Sequence, residues 1–262
     1  MEFIKSIVIK ETRATIRTSS QRHIDIGIAS LLRNRGQLES FLSRNKTFLQ
    51  VMSPVDVTED SPEIVLRMAA ATKKFGVGPM ASVAGALADL CLEEMLGKGA
   101  RFGMVENGGE IAANGFKNLL VAVFAGSSSL SNRIGLQLTS LDLPIGIGTS
   151  SATVSHAKSF GEADAAVAVC DNACLADAAA TAIGNKVTGT DPEESIHRAL
   201  CESSKFADLR GALIIRGDWI GTWGRLPRLL KISQSFRRDA DSVFSQRERR
   251  GETVVKRLEP TE

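Results

Sequence analysis

Two oxygen-bearing side chains lie four positions apart in an otherwise small and apolar run, Leu175-Ala176-Asp177-Ala178-Ala179-Ala180-Thr181-Ala182-Ile183-Gly184-Asn185. The run is helix-forming, and on a helix that spacing sets Asp177 and Thr181 on one face, one turn apart. A carboxylate and a hydroxyl on a rigid element are hard ligands, suited to Mg²⁺ or Ca²⁺ and poorly suited to zinc. The same residues also fit a buried Ala-rich helix, with Asp177 near its positive end and Thr181 bonded back to a carbonyl. The pair alone supports both readings.

Three glycine-containing segments add candidate ligand contacts. In Gly76-Val77-Gly78-Pro79-Met80, glycines precede a helical pattern and Pro79 sits where a first-turn proline is tolerated. Backbone N–H groups at such a start can hold a phosphate or carboxylate around Gly78 and Met80, although a capping turn explains the residues equally. The dinucleotide fingerprint is absent, because its third glycine is missing. In Val105-Glu106-Asn107-Gly108-Gly109-Glu110-Ile111, a hairpin accounts for Asn107-Gly108. It does not require a carboxylate on each side. Glu106 or Glu110 could bind a ring N–H, a ribose hydroxyl or a metal-bound water. The third segment, Gly148-Thr149-Ser150-Ser151-Ala152-Thr153-Val154-Ser155-His156, is dense in hydroxyls. It half-resembles a nucleophile elbow, with Ala152 in place of the last glycine, and a serine hydrolase with His156 as base is one reading of it. His23 and His197 read as surface or structural residues.

These segments must be held by elements that the pattern outlines. Ile4 to Ser19 alternates as one long strand or a hairpin, and Ile24 to Gln50 fits one or two helices. Pro62-Glu63 opens a helix to about Phe75, and a longer helix runs from Ala81 to about Leu96, closed by Gly97. Strands are expected at Arg101–Val105, Leu119–Phe124, Gly135–Leu138, Ala165–Cys170 and Leu213–Arg216, with a helix at Glu193–Cys201. Gly146 to Gly161 reads as a loop. Helices and strands are mixed without strict alternation, which predicts α+β layers rather than a doubly wound parallel sheet. The expected organisation is one α+β domain over residues 1–224, followed by a charged amphipathic helix and tail over 225–262 that could serve a homo-oligomer interface.

With 262 residues, 43% of them hydrophobic, the chain can bury a sizeable core. A net charge of +2 and the absence of tyrosine argue against nucleic-acid partners. No apolar run is long enough to span a bilayer, and no secretory or lipid-anchor leader is evident, so the expected location is the cytoplasm. Cys91, Cys170, Cys174 and Cys201 lack metal-site spacing and read as buried thiols.

Taken in order, the segments resemble the ApbE superfamily, closest to its cytoplasmic, uncharacterised ApbE-like branch. The resemblance covers about Gly76 to Arg216 and is sharpest at Val105–Ile111 and Leu175–Asn185. It implies a T-fold-related α+β fold of mixed or antiparallel sheet with helices. It also implies the activity of an Mg²⁺-dependent FAD:protein FMN transferase, which passes FMN to a Thr or Ser of an acceptor protein. By resemblance, Asp177 and Thr181 are metal ligands, joined by a backbone carbonyl for which Ala113 is the equivalent. The turn Asn107–Ile111 lies against the flavin nucleotide, and the helix after Gly78 lies along it. The family's His-x-x-Asp-Pro motif is replaced by Ser155-His156-Ala157-Lys158-Ser159-Phe160, so His156 is the candidate base with no Asp-Pro following. Two alternatives stand beside FMN transfer or FAD pyrophosphate cleavage. One is a non-catalytic flavin-binding protein. The other is an enzyme of methanopterin-type one-carbon cofactor biosynthesis, with a phosphorylated or pterin-like ligand in the same place.

Overall fold

A computed structural model describes residues 1–152, 161–232 and 253–258. The chain opens with strands β1 (Phe3–Ile9) and β2 (Thr12–Thr18) and helices α1 (Gln21–Arg44), α2 (Lys46–Gln50) and α3 (Glu63–Phe75). A short 3₁₀ turn, Pro79–Ser82, leads into α4 (Val83–Gly97). Strands β3 (Gly103–Asn107), β4 (Glu110–Asn114), β5 (Asn118–Ala122), β6 (Ile134–Thr139), β7 (Ile145–Ser150) and β8 (Ala165–Cys170) follow. After α5 (Ala173–Gly184) and α6 (Pro192–Ser203) come β9 (Gly211–Arg216), β10 (Trp219–Gly224), β11 (Arg228–Lys231) and β12 (Val254–Arg257). The predicted α+β class, with antiparallel sheets and helices, is the observed one.

The contacts resolve two compact units, the first made of Met1–Phe116, Leu143–Gly148 and Cys170–Ala179, and the second of Lys117–Asp142, Thr149–Val169 and Ala180–Glu262. In the first unit, β1, β2, β3, β4 and β7 are neighbours in that order, each pair antiparallel. Helices α1 and α4 cover one face. At Gly27 of α1 an added Cβ would meet Ile16 Cδ1 at 3.0 Å and Met95 Sδ at 3.0 Å, and at Gly103 of β3 it would meet Leu92 Cδ1 at 2.6 Å. Fully buried Ile16, Leu31, Val105 and Met95 fill this layer. Helix α3 stops at Gly76, whose φ of 71° is the left-handed conformation that glycine adopts without a Cβ penalty.

In the second unit, β8, β9, β10 and β12 are neighbours in order, with α6 packed so closely that a Cβ at Gly221 would lie 2.3 Å from Ile196 Cγ2. A separate three-stranded sheet has the order β11-β6-β5. Helix α6 begins as its sequence directs, with Asp191 accepting from the Glu194 N–H at 3.0 Å and Pro192 in the first turn.

Several local expectations differ from the structure. The segment from Gly146, read as a loop, begins as strand β7, and the hairpin turn is followed by β4. Glycine in a strand is a weak strand signal, but here it marks close approach by another backbone. Residues 228–231, where an amphipathic helix was expected, pair with β6 as a strand, and Val254–Arg257 pairs with β10; residues 233–252 lie outside the described residues. Cys201 is exposed, whereas Cys91, Cys170 and Cys174 are buried as expected.

Candidate functional site

The first unit brings α4 and α5 together through their N-terminal turns. Glycine makes this approach feasible: a Cβ at Gly85 would lie 2.2 Å from the Ala173 carbonyl oxygen. Strand β7 closes on α5 in the same way. A Cβ at Gly146 would lie 1.9 Å from the Asn172 carbonyl carbon, and one at Gly148 would lie 2.3 Å from the Ala176 oxygen and 2.6 Å from the Asp177 nitrogen. Two residues of strand advance about 6.7 Å and four residues of helix about 6 Å, so alternate strand glycines meet successive helical turns.

Each helix end is capped by the other helix. The first helical N–H groups have no partner inside their own helix. In α5, Asp89 of α4 accepts from Ala173 N at 2.9 Å through Oδ1 and from Cys174 N at 2.8 Å through Oδ2, while Asn172 Oδ1 accepts from Leu175 N at 2.9 Å. In α4, the Ser82 hydroxyl donates to the Pro79 carbonyl and makes no cap. Asp177 of α5 supplies one instead: its Oδ2 accepts from Gly85 N at 2.9 Å, and its carboxylate also takes the Ala84 N–H. The Asn107 side chain reaches the same turn, donating to the Ala84 carbonyl at 3.0 Å. The predicted metal carboxylate and the predicted flavin-facing turn therefore meet at Ala84–Gly85.

Both carboxyls are held above their ordinary range. Burial raises Asp89 to about 6, against the partial relief of the Cys174 and Ala173 N–H groups. Burial likewise raises Asp177, offset in part by Gly85 and Ala84 and reinforced by the negative charge of Asp89. Between the ordinary value of 3.8 and about 6, folded Asp89 keeps a proton that the unfolded chain has released. This group therefore lowers stability progressively as pH rises through that window. In urea unfolding without divalent cations, the advantage of the wild type over Asp89→Asn is expected to be larger near about pH 4 than near about pH 7; an advantage that grows with pH contradicts it.

The remaining predicted residues distribute as follows. Gly108 and Gly109 form the two-residue hairpin turn, with φ of 68° and 113°, conformations that demand glycine. Asn107 and Glu110 pair across it and are buried on one face. Glu106 points to the other face and accepts from its own turn, from Gly109 N at 3.1 Å; burial raises its pKa, and that N–H offsets part of the rise. Gly78 is packed against backbone, since a Cβ there would lie 2.1 Å from the Val51 carbonyl oxygen, and Met80 is half-buried on the 3₁₀ turn. The α4 amides expected to greet an anion after Gly78 are instead filled at Ala84 and Gly85 by Asp177. Ala113 is buried in β4 between Met104 of β3 and Ile145 of β7.

In the second unit, Ser150 lies against Gly184, with its Oγ 3.3 Å from where a Cβ would stand; Thr149 is half-buried and Ser151 buried. Thr181 lies on α5 one turn beyond Asp177 and is half-buried. Thr72 bonds back to the Met68 carbonyl at 2.8 Å, whereas among the described residues the Thr181 hydroxyl makes no such bond. His156 lies outside the described residues. Among the described residues, no three His, Cys, Asp or Glu side chains cluster as a metal site. Sequence reading missed Asp89, whose only signal was a carboxylate inside a helix dominated by Ala and Leu.

A family model described as AbpE bacteria matches residues 7–217. The chain belongs to this ApbE-like family. Among its relatives, the UPF0280 protein of Methanocaldococcus jannaschii is 38% identical over 236 residues, covering 89% of this chain and 96% of that one. The UPF0280 protein of Methanothermobacter thermautotrophicus is 40% identical over 228 residues, covering 87% and 88%. The ApbE-like chain also resembles the flavin transferase ApbE from Vibrio cholerae, with a TM-score of 0.54 at 13% identity, over 82% of this chain and 93% of that one. A Pseudomonas stutzeri flavinyl transferase ApbE gives a TM-score of 0.52 at 10% identity, over 84% and 94%. At these identities the structural likeness establishes the shared fold. Among the described residues, no single helix is long and apolar enough to cross a membrane.

Proposed function

We propose that this ApbE-like chain is a cytoplasmic protein that binds FAD with Mg²⁺ and transfers FMN to an acceptor protein or cleaves the FAD pyrophosphate. The observation that carries the reading is the half-buried Asp177 carboxylate, which accepts from Gly85 N at 2.9 Å at the same α4 turn that the Asn107 side chain reaches, and whose charged form is disfavoured by burial and by Asp89. A divalent cation offsets that penalty. The carboxylate has about four lone-pair sites, and two backbone bonds leave room for a cation. Mg²⁺ takes few protein ligands and completes its shell with water and substrate phosphates, which suits a site with no cluster of three His, Cys, Asp or Glu among the described residues. Asp177 would hold the ion, with the Thr181 hydroxyl and the Ala113 carbonyl as further donors.

When bound, Mg²⁺ supplies charge neutralisation at the diphosphate. The chain's part is to fix that charge in place and to orient the acceptor. The hairpin turn at Gly108-Gly109, with Asn107 and Glu110 buried beneath it, would lie against the nucleotide, and Gly78, Met80, Glu106, Thr149, Ser150 and Ser151 would contribute further contacts. In the transfer, an acceptor hydroxyl oxygen forms a bond to the FMN phosphorus, the pyrophosphate P–O bond breaks, and AMP departs. His156 is the proposed base for the hydroxyl proton.

The test is incubation of the purified full chain with FAD and Mg²⁺, followed by melting temperature and by chromatography for AMP. A thermal shift with AMP release supports the enzyme, and a shift without AMP makes the chain a flavin carrier. Neither shift nor AMP transfers the site to a phosphorylated or pterin-like ligand of one-carbon cofactor biosynthesis. Unchanged AMP release from His156→Ala removes the proposed base.

A further inference from the structure

We infer that Asp89 is a positioning residue for the cation site, because its two bonds to the start of α5 set where the second turn of that helix presents Asp177. The inference rests on the Mg²⁺ reading above. Three observations carry it. Asp89 takes the N–H groups of both Ala173 and Cys174, at 2.9 and 2.8 Å, so rotation or sliding of α5 breaks at least one bond. Asp177 returns the same service to α4 at Gly85, which makes the two carboxylates a reciprocal lock between two helix starts. Behind α5, the glycines of β7 leave no slack, since even a methyl group at Gly146 or Gly148 would overlap the helix backbone. Helix α5 is thus backed by a strand and held at its end by Asp89.

Asp89 and Asn172 also occupy the first three amides of α5. No N–H group in that turn is left for an anionic ligand, so the cation at Asp177 becomes the means by which α5 meets a diphosphate. Position then matters through ion size. Mg²⁺ requires near-ideal octahedral contacts at about 2.0–2.1 Å, whereas Ca²⁺ accepts about 2.3–2.6 Å in looser geometry. A displaced α5 weakens Mg²⁺ more than Ca²⁺, and a mere loss of stability does not produce that split.

The experiment uses the full chain with saturating FAD and titrates Mg²⁺ or Ca²⁺ against melting temperature, for wild type, Asp89→Glu and Asp89→Asn. Glu keeps the charge but pushes it one methylene further; Asn keeps the size. The expected result is a rise of at least about tenfold in the Mg²⁺ midpoint in either variant, the scale of losing a group that orients a metal ligand. The Ca²⁺ midpoint is expected to move less than about threefold. Unchanged Mg²⁺ midpoints, or equal rises for both ions, overturn the positioning role. Loss of a cooperative melt in both variants also overturns it, assigning Asp89 to folding alone. If the wild type itself gives no shift with either cation and FAD, the Mg²⁺ reading has failed, and the positioning role falls with it.

Discussion

Asp177→Ala is expected to abolish the Mg²⁺-dependent response to FAD, both thermal shift and AMP release, and to cost about 1–2 kcal/mol of stability in the cation-free protein. The two effects have different origins. The stability loss comes from α4, whose Ala84 and Gly85 N–H groups lose their carboxylate while the Ser82 hydroxyl remains committed to the Pro79 carbonyl. It is moderated because a buried carboxylate with a raised pKa no longer has to be accommodated. The loss of response comes from removing the charged donor. Asp177→Asn separates them: the amide oxygen still accepts from a backbone N–H, so most of the cap survives, but the cation loses its anionic ligand. Urea unfolding measures the first effect, and a Mg²⁺ titration with FAD measures the second. An Asn variant that binds Mg²⁺ and FAD with the wild-type midpoint would falsify the cation role of Asp177 and leave it a helix cap.

Gly148→Ala is expected to be among the damaging single methyl groups in this part of the fold, and the one set directly against Asp177. Its Cβ would stand 2.3 Å from the Ala176 oxygen, 2.4 Å from the Ala176 carbon and 2.6 Å from the Asp177 nitrogen. All three are backbone atoms of a helix, so no side chain can swing aside; β7 and α5 must separate. Overpacking of this kind costs about 1–3 kcal/mol or more, and with backbone on both sides the upper end applies. For a chain of this size that lowers the melting temperature by roughly 6–12 °C. The separation also displaces Asp177, so the Mg²⁺ response should weaken with it. Gly36→Ala is the control: it sits exposed within α1 with nothing within 4 Å, and there the methyl group is expected to stabilise by about 0.5–1 kcal/mol. Scanning calorimetry on both variants checks the contrast, and equal melting temperatures would mean that β7 and α5 are not in backbone contact.

Much of this architecture was legible because local chemistry and tertiary role agree. The Ala-rich run around Asp177 is a helix, the helix opened at Pro62-Glu63 runs to Phe75, the helix read over Glu193–Cys201 lies within α6, and the alternation from Ile4 to Ser19, which fitted one long strand or a hairpin, is a hairpin. Period, cap and turn signals act over a few residues and need no partner to be read. The family resemblance likewise rested on contiguous motifs. Where the reading departed from the structure, the reason was a partner distant in sequence. Gly146 and Gly148 suggested a loop, because glycine alone does not reveal the helix backbone that excludes a Cβ. Leu229 and Leu230 fit a helical face, yet their neighbour is β6, about ninety residues earlier, and pairing with it settles the strand.

The sequence by itself determined which residue types were on offer: a carboxylate and a hydroxyl one turn apart on a rigid helix, and a glycine turn flanked by Asn107 and Glu110. Only the tertiary structure decided what the carboxylate faces. It put Asp177 on the first turn of α4, placed Asn107 at the same turn, and paired Asp177 with an unsuspected second carboxylate at Asp89. The physical reason is that spacing on one helix specifies a face, whereas burial, pKa and the satisfaction of a helix end depend on groups more than eighty residues away.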